Sequence, residues 1–194
     1  MNYDDIILKQ LTESSSVKLD LIQQSSIINK IGLMLIKCLR SNNTIFLVGN
    51  GGSASDAQHI TAELVGTFGD LTRKGLSAIS LSTNVSTLTS IGNDIGFTKI
   101  FSRQVEALMK KNDVLIAFST SGKSQNILEA CKTAKSKGSV LIGLTGKNNN
   151  PLSKISDITL HVPSNNTQRI QESHITIGHI LCSIIENHLK NNKI

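Results

Sequence analysis

A histidine and a glutamate stand four residues apart in the segment GNGGSASDAQHITAEL, which is expected to open a helix. This spacing places the side chains of His59 and Glu63 on one helix face. An imidazole beside a carboxylate can bind a divalent metal or act as a general base. The segment lacks an HExxH motif, so a zinc protease is not indicated. Taken alone, the spacing favours an ordinary pair on a helix surface.

A second group of polar side chains lies in the segment RIQESHITIGHI near the end of the chain: Gln171, Glu172, His174 and His179. Gln171 and His179 are separated by about 80° around a helix and roughly 12 Å along it. They could share one small site only with extended side chains, or they could serve sites in two subunits. His174 is also compatible with a simple place on a helix face. Polar side chains among isoleucines indicate that this helix meets something polar.

Two loops are candidates for binding a phosphate group. GNGGS follows a predicted strand and opens a predicted helix, where glycines let backbone N–H groups approach an anion. It lacks the Walker A and GxGxxG spacings and is equally compatible with a tight turn. STSGKS carries four hydroxyls, those of Ser119, Thr120, Ser121 and Ser124. Because a helix cap needs only one hydroxyl, four of them favour phosphate binding.

A sheet is expected to position these loops, because five short runs rich in β-branched residues alternate with helical stretches. The runs are TIFLVGN, LSAISLS, DVLIAFSTSG, SVLIGLTG and DITLHVP. They predict an α/β fold of three layers, in which a five-stranded parallel sheet is flanked by helices. Such sheets bind ligands at the carboxyl ends of their strands, which here lead into GNGGS, STNVS, STSGKS and TGKNNN.

Helices are predicted at both ends of the chain. Residues 3–24 and 26–40 are expected to form two helices before the first strand, and residues 167–190 one long final helix with a broad apolar face. Two helices ahead of the first strand often pack on a neighbouring subunit, which hints at oligomerisation. No linker or internal repeat divides the sequence, so residues 1–194 are predicted to form a single domain.

The composition is typical of a soluble globular protein, with 39% hydrophobic and 18% charged residues. The net charge is +6, but only 3% of residues are aromatic and no long basic run occurs, which argues against a nucleic-acid surface. Cys38, Cys131 and Cys182 are far apart, which predicts reduced thiols and a cytoplasmic location. Neither a signal peptide nor a membrane span is expected, since the apolar run 31–39 is too short.

Four segments together, GNGGSASDAQHITAEL, SIGNDIGF, STSGKS and RIQESHITIGHI, resemble the phosphoheptose isomerases, a family of SIS-type sugar-isomerase domains. The resemblance covers nearly the whole chain. It implies a flavodoxin-like or Rossmann-like sheet, a homotetramer with active sites at subunit interfaces, and a bound divalent metal, most often zinc. It also implies conversion of D-sedoheptulose 7-phosphate to D-glycero-D-manno-heptose 7-phosphate through an enediol. This step leads to ADP- or GDP-heptose for lipopolysaccharide, capsule or other surface glycans.

The resemblance also implies roles for individual residues. The expected metal ligands are His59, Glu63, Gln171 and His179. Glu63 and His179 are the expected acid–base pair, and which of them serves carbon and which serves oxygen stays open. Asn93 and Asp94 could instead form a turn. Lys123 stands where the family commonly has Asn, and so adds a positive charge beside the expected phosphate. The expected substrate contacts are Asn50, Gly51, Gly52, Ser53, Glu63, Asn93, Asp94, Ser119, Thr120, Ser121, Ser124 and Gln171.

Two other functions are compatible with the same fold. A non-catalytic SIS-type protein that binds the replication initiator has less reason to keep all four metal-ligand positions, which favours an enzyme here. An isomerase of another sugar phosphate would use the same chemistry, because the length of the sugar is not fixed by these motifs.

Overall fold

The structure, a computed structural model, describes residues 2–191. Two helices precede the first strand and are joined by the short 3-10 helix Leu21–Gln24. A second 3-10 helix, Phe97–Lys99, lies between the fourth and fifth α-helices. In chain order the elements are α1 (Asp4–Asp20), α2 (Ser25–Arg40), β1 (Ile45–Val48), α3 (Gly52–Val65), β2 (Ala78–Ser80), α4 (Val85–Asp94), α5 (Ser102–Leu108), β3 (Val114–Phe118), α6 (Gln125–Ser136), β4 (Val140–Thr145), α7 (Pro151–Ile155), β5 (Ile158–His161) and α8 (Thr167–Asn191).

The five strands form one parallel sheet in the order β2-β1-β3-β4-β5. β1 pairs with β2 on one side and with β3 on the other, so that Ile45 lies between Ala78 and Val114. The strand order therefore reverses between β1 and β3, and folds of this type bind ligands at the crevice that this reversal opens. GNGGS follows β1 and STSGKS follows β3, so both loops stand at that crevice.

Both faces of the sheet are buried, which is why its strands are continuous apolar runs. Alternate residues point to opposite sides: Ile45 and Leu47 belong to a core shared with α2, α3 and α8, whereas Phe46 and Val48 belong to a core shared with α5, α6 and α7. This arrangement confirms the predicted three-layer α/β fold with a five-stranded parallel sheet. Within residues 2–191, none of the helices combines the length and apolar character needed to cross a bilayer.

All five predicted strands are present, but each ends before its apolar run does. β1 ends at Val48, because the chain turns where the Ser53 N–H donates to the Asn50 carbonyl. β3 ends at Phe118, because the Gly122 N–H donates back to Ser119. The predicted terminal helices are confirmed within a few residues: residues 3–24 form α1 and the short 3-10 helix, residues 26–40 form α2, and residues 167–190 form α8.

Candidate active site

Helices α3 and α8 lie side by side and carry the polar groups that stand out in the sequence. Gln171 lies against Gly52 at the start of α3, and Gly178 lies against Ile60 two turns further on. From the first contact to the second, the residue numbers increase along both helices, so α3 and α8 run parallel. A Cβ atom on Gly178 would fall 2.4 Å from Cδ1 of Ile60, and the missing side chain is what lets the helices approach closely.

This packing brings His59, Glu63 and His179 together. His59 Nε2 lies 3.1 Å from Glu63 Oε1 and 3.2 Å from His179 Nε2. The two imidazole rings meet edge to face, with centroids 4.9 Å apart. One nitrogen or oxygen atom from each residue lies within 4.8 Å of those of the other two. The predicted placement of His59 and Glu63 on one helix face is thus confirmed, and His179 completes the cluster from α8.

The cluster has the donor set of a divalent metal site. Two imidazoles and one carboxylate suit zinc and leave further positions open for water or substrate. The two facing Nε2 atoms cannot both carry a proton, so at least one presents a lone pair. The side chain of His59 is 47% exposed and that of Glu63 is 23% exposed, so a ligand can reach them from solvent. The residues present therefore fit a metal ion.

Gln171, the fourth expected ligand, occupies a different part of α8. Its side-chain amide lies against Gly52, next to the GNGGS loop, and about two helical turns before His179. Within residues 2–191, no hydrogen bond joins Gln171 to the cluster of His59, Glu63 and His179. Gln171 thus contacts the GNGGS loop, and its role as a metal ligand stays a prediction.

The GNGGS loop is held rigidly at the crevice between β1 and β3. The side-chain amides of Asn50 and Asn126 exchange two hydrogen bonds, each 2.9 Å long, and so join the loop to the first turn of α6. Gly51 has a φ of 56°, which favours glycine at the entry to α3. Ser53 is buried in the first turn of that helix. The loop is a tight turn that leads into α3, and the Ser53 N–H donates to the Asn50 carbonyl within it.

The four hydroxyls of STSGKS have different partners. Ser119 Oγ accepts from the Gly122 N–H, and Ser121 Oγ accepts from the Lys123 N–H. Ser124 is the N-cap residue of α6 but makes no side-chain capping bond. Within residues 2–191, the hydroxyls of Thr120 and Ser124 make no hydrogen bond, so capping does not account for them. This pattern leaves hydroxyl donors available to an anion.

A polar cavity of about 260 Å³ opens beside this loop. Thr120, Ser121 and Lys123 form one wall, and Lys147 and neighbouring asparagines form another. Neither lysine makes an ion pair within residues 2–191, so the cavity carries uncompensated positive charge. Sequence reasoning placed TGKNNN at the correct edge of the sheet but did not single out Lys147. The available signal is a lysine two residues after the end of β4.

Asn93 and Asp94 lie in the last turn of α4. Asn93 Nδ2 donates to Asp94 Oδ1 over 2.8 Å, and both residues are exposed. No residue of α4 is buried. Within residues 2–191, neither side chain bonds to another expected site residue, so their contact with substrate stays a prediction.

Two further titratable groups lie on the helices that carry the cluster. Burial raises the pKa of Asp56, one turn before His59, to about 6, and the charge of His59 partly offsets this. His174 is fully buried, and its ring meets Phe118 at 5.9 Å between centroids. Burial lowers the pKa of His174 to about 4, and the Thr145 carbonyl offsets part of the effect, although neither ring nitrogen makes a hydrogen bond of ordinary geometry within residues 2–191. His174 is thus a core residue.

Comparison with known proteins agrees with this architecture. The SIS domain family matches residues 12–146. A phosphoheptose isomerase of Helicobacter pylori is 48% identical over 186 residues, which are 95% of this chain and 96% of that protein. One from Campylobacter jejuni is 53% identical over 159 residues, covering 82% of this chain and 85% of that protein.

Solved structures give the same result. The structure of a phosphoheptose isomerase from Francisella tularensis has a TM-score of 0.93 at 36% identity, and the match covers 96% of this chain and 100% of that chain. One from Neisseria gonorrhoeae has a TM-score of 0.90 at the same identity and coverage. Together with the matches along almost the whole sequence, this shows that the chain belongs to the phosphoheptose isomerase family of SIS domain proteins.

Proposed function

We propose that this protein isomerises D-sedoheptulose 7-phosphate to D-glycero-D-manno-heptose 7-phosphate. Its family makes it an isomerase that acts on a sugar phosphate. The observation that carries the specific proposal is the meeting of His59, Glu63 and His179 on α3 and α8, where α3 begins at the GNGGS loop that follows β1. A protein that only bound another macromolecule would have no need for this cluster. The product then enters the synthesis of ADP- or GDP-heptose for lipopolysaccharide or capsule.

Glu63 is the residue that we assign to the carbon-bound proton. Its Oε1 faces His59, whereas Oε2 makes no hydrogen bond within residues 2–191 and is open to a substrate. In the open-chain ketose, the carboxylate removes a proton from C1 and returns one to C2 after the enediol has formed. His179 carries the accompanying proton from the C1 oxygen to the C2 oxygen. The two roles can be exchanged without changing the balance of the reaction.

We assign the metal to the same cluster, with His59, Glu63 and His179 as ligands and Gln171 as the fourth. Zinc is the ion that this mixed set of nitrogen and oxygen donors suits best. When bound, a divalent ion polarises the substrate carbonyl and stabilises negative charge that develops on its oxygens.

The phosphate group is assigned to the STSGKS loop. The free hydroxyls of Thr120 and Ser124, the start of α6, and the charges of Lys123 and Lys147 support this assignment. Binding energy from the phosphate, remote from C1 and C2, can hold the sugar in its reactive position. The proposed contacts are Asn50, Gly51, Gly52, Ser53, Glu63, Asn93, Asp94, Ser119, Thr120, Ser121, Ser124 and Gln171.

A homotetramer with active sites at its interfaces completes the proposal. α1 buries a single residue, Val17, and exposes most of its apolar side chains, including Leu11 at 66%. An apolar groove between the end of α1, α2 and α8 is lined by Leu21, Ile28 and Ile184 among others. A second copy of this chain would cover both surfaces. α4, which has no buried residue, would then bring Asn93 and Asp94 to a neighbouring site.

Two further assignments follow from the packing. We propose that residues 1–194 form one SIS-type domain, because a single sheet lies between both cores. We place the protein in the cytoplasm, because Cys38, Cys131 and Cys182 are free, buried thiols.

The test is conversion of sedoheptulose 7-phosphate by metal-stripped protein, with and without added Zn²⁺. Fructose 6-phosphate serves as the control substrate. We expect zinc-dependent formation of a heptose 7-phosphate and little conversion of the hexose. A folded oligomer that turns over neither sugar would support a non-catalytic, initiator-binding role, and preference for fructose 6-phosphate would support an isomerase of another sugar.

A further inference from the structure

A buried ion pair joins the loop after α3 to the last third of α8. Arg73 Nε lies 3.1 Å from Glu186 Oε1, and the two side chains are only 6% and 8% exposed. A charged pair so far removed from water needs further hydrogen bonds to offset the loss of hydration. Both residues make such bonds, and their partners belong to segments that carry or contact residues of the candidate active site.

Glu186 holds the backbone of the loop that follows α3. Its carboxylate accepts hydrogen bonds from the N–H groups of Phe68, Gly69 and Asp70, over 3.1 to 3.3 Å. These bonds fix the position of Phe68, whose ring lies against the imidazole of His179 with centroids 5.8 Å apart. Glu186 therefore sets the packing on one side of His179, which stands two turns earlier on the same helix.

Arg73 holds the last turn of α3. Its guanidinium donates to the main-chain carbonyls of Glu63 and Leu64. Carbonyls at the end of a helix have no partner within the helix, so this contact gives one to Glu63 and a second to Leu64, whose carbonyl also accepts from the Leu76 N–H. It also fixes the turn that carries the Glu63 side chain. The Arg73–Glu186 pair thus contacts the two segments that position Glu63 and His179, the residues that we assign to acid–base chemistry.

We propose that Arg73 and Glu186 are positioning residues, which hold Glu63 and His179 in the geometry that metal binding and proton transfer require. Neither touches the substrate: Glu186 acts through Phe68 on His179, and Arg73 acts through the end of α3 on Glu63. This inference rests on the proposed function of the cluster. Support of ligands by neighbouring groups typically changes metal affinity or activity about 10–100-fold.

The test compares Glu186→Gln with Asp113→Asn. Glutamine keeps the size of Glu186 but removes the charge that faces Arg73. Asp113 is a matched control, because it is also a buried carboxylate that accepts from backbone N–H groups, those of Thr44 and Lys110, but these groups do not belong to segments that contact Glu63 or His179. Zn²⁺ affinity is measured by competition with a chelator, alongside kcat, KM and Tm.

We expect Glu186→Gln to weaken Zn²⁺ binding about 10-fold or more and to lower kcat, with little change in KM for the sugar phosphate, since the phosphate loop lies elsewhere. Asp113→Asn should lower Tm without changing Zn²⁺ affinity. If both variants lose Tm alike and keep wild-type Zn²⁺ affinity and kcat, the pair is only structural and the inference is wrong.

If Glu186→Gln fails to fold, Phe68→Leu tests the contact between Phe68 and His179 and leaves the Arg73–Glu186 ion pair intact. We expect it to weaken Zn²⁺ binding as well, and wild-type affinity would overturn the part of the inference that runs through Phe68. If the wild type binds no Zn²⁺ and shows no turnover, the proposed function fails. NMR of labelled histidines then tests positioning alone: the His179 signal should move in Glu186→Gln, which keeps the Phe68 ring, and an unchanged signal rejects the inference.

Discussion

At the scale of single residues, the carboxylate of Glu63 carries the proposed chemistry. We expect Glu63→Gln to lower kcat about 10²–10⁴-fold, because an amide cannot accept the proton from C1. Glu129→Gln is the control, since Glu129 is a carboxylate paired with Lys99 and Lys132 far from the cluster. Near-normal turnover by Glu63→Gln, measured as heptose 7-phosphate formed under zinc saturation, would show that the assignment is wrong.

His174 makes stability depend on pH. Burial lowers its pKa in the folded protein to about 4 from an ordinary 6.5. Between these values the unfolded chain binds a proton that the folded chain excludes, so the folded state loses stability as the pH falls from 6.5 toward 4, by up to about 3 kcal/mol. We expect His174→Leu to lose less stability than the wild type between neutral pH and about pH 5. Urea unfolding at both pH values measures this difference. Equal losses of unfolding free energy in His174→Leu and in the wild type would contradict the prediction.

At the scale of elements, the contact between α3 and α8 forms the cluster. A side chain on Gly178 would collide with Ile60, so Gly178→Val should destabilise the fold by about 1–3 kcal/mol and weaken Zn²⁺ binding by separating His179 from His59. Gly92→Val is the matched control, because a Cβ there meets only Ile100, at an ordinary 3.7 Å. Urea unfolding and Zn²⁺ titration distinguish the two variants. If the two variants lose equal stability and equal Zn²⁺ affinity, the losses come from the helix propensity of valine rather than from its collision with Ile60.

The elements themselves could be predicted from the sequence, and their mutual contacts could not. Buried runs such as that of β3 are continuous and β-branched, and the spacing of His59 and Glu63 follows from helix geometry alone. Arg73 and Glu186 are 113 residues apart, and neither belongs to a local motif. Their meeting depends on how the loop after α3 packs on α8. The burial of His174 depends likewise on tertiary packing, since the sequence gives only a polar residue on an apolar helix.

At the scale of the whole molecule, α1 is the element that the proposed tetramer concerns most. A helix that buries only Val17 gains little apolar packing within its own subunit, and exposed apolar surface of this kind is what a second copy of the chain would cover. Within residues 2–191, α1 meets α8 mainly through polar bonds, such as those from Ser14 to Glu172 and from Arg169 to the Gln10 carbonyl, and most of its apolar side chains stay exposed. If the proposed tetramer covers these side chains, the stability of α1 depends on assembly, and the activity of a site shared between subunits depends on it too.

Leu11→Glu tests this dependence directly. The substitution places a charge at a position that is 66% exposed in the single chain and covered in the proposed tetramer. We expect light scattering to show dimers or monomers instead of tetramers, and activity to fall with the tetramer fraction. Lys9→Glu places the same side chain on the same helix at a polar position, and this variant should keep both the tetramer and the activity. A Leu11→Glu protein that stays tetrameric would exclude α1 from the contact, whereas full activity in a monomer would show that one chain holds the complete site.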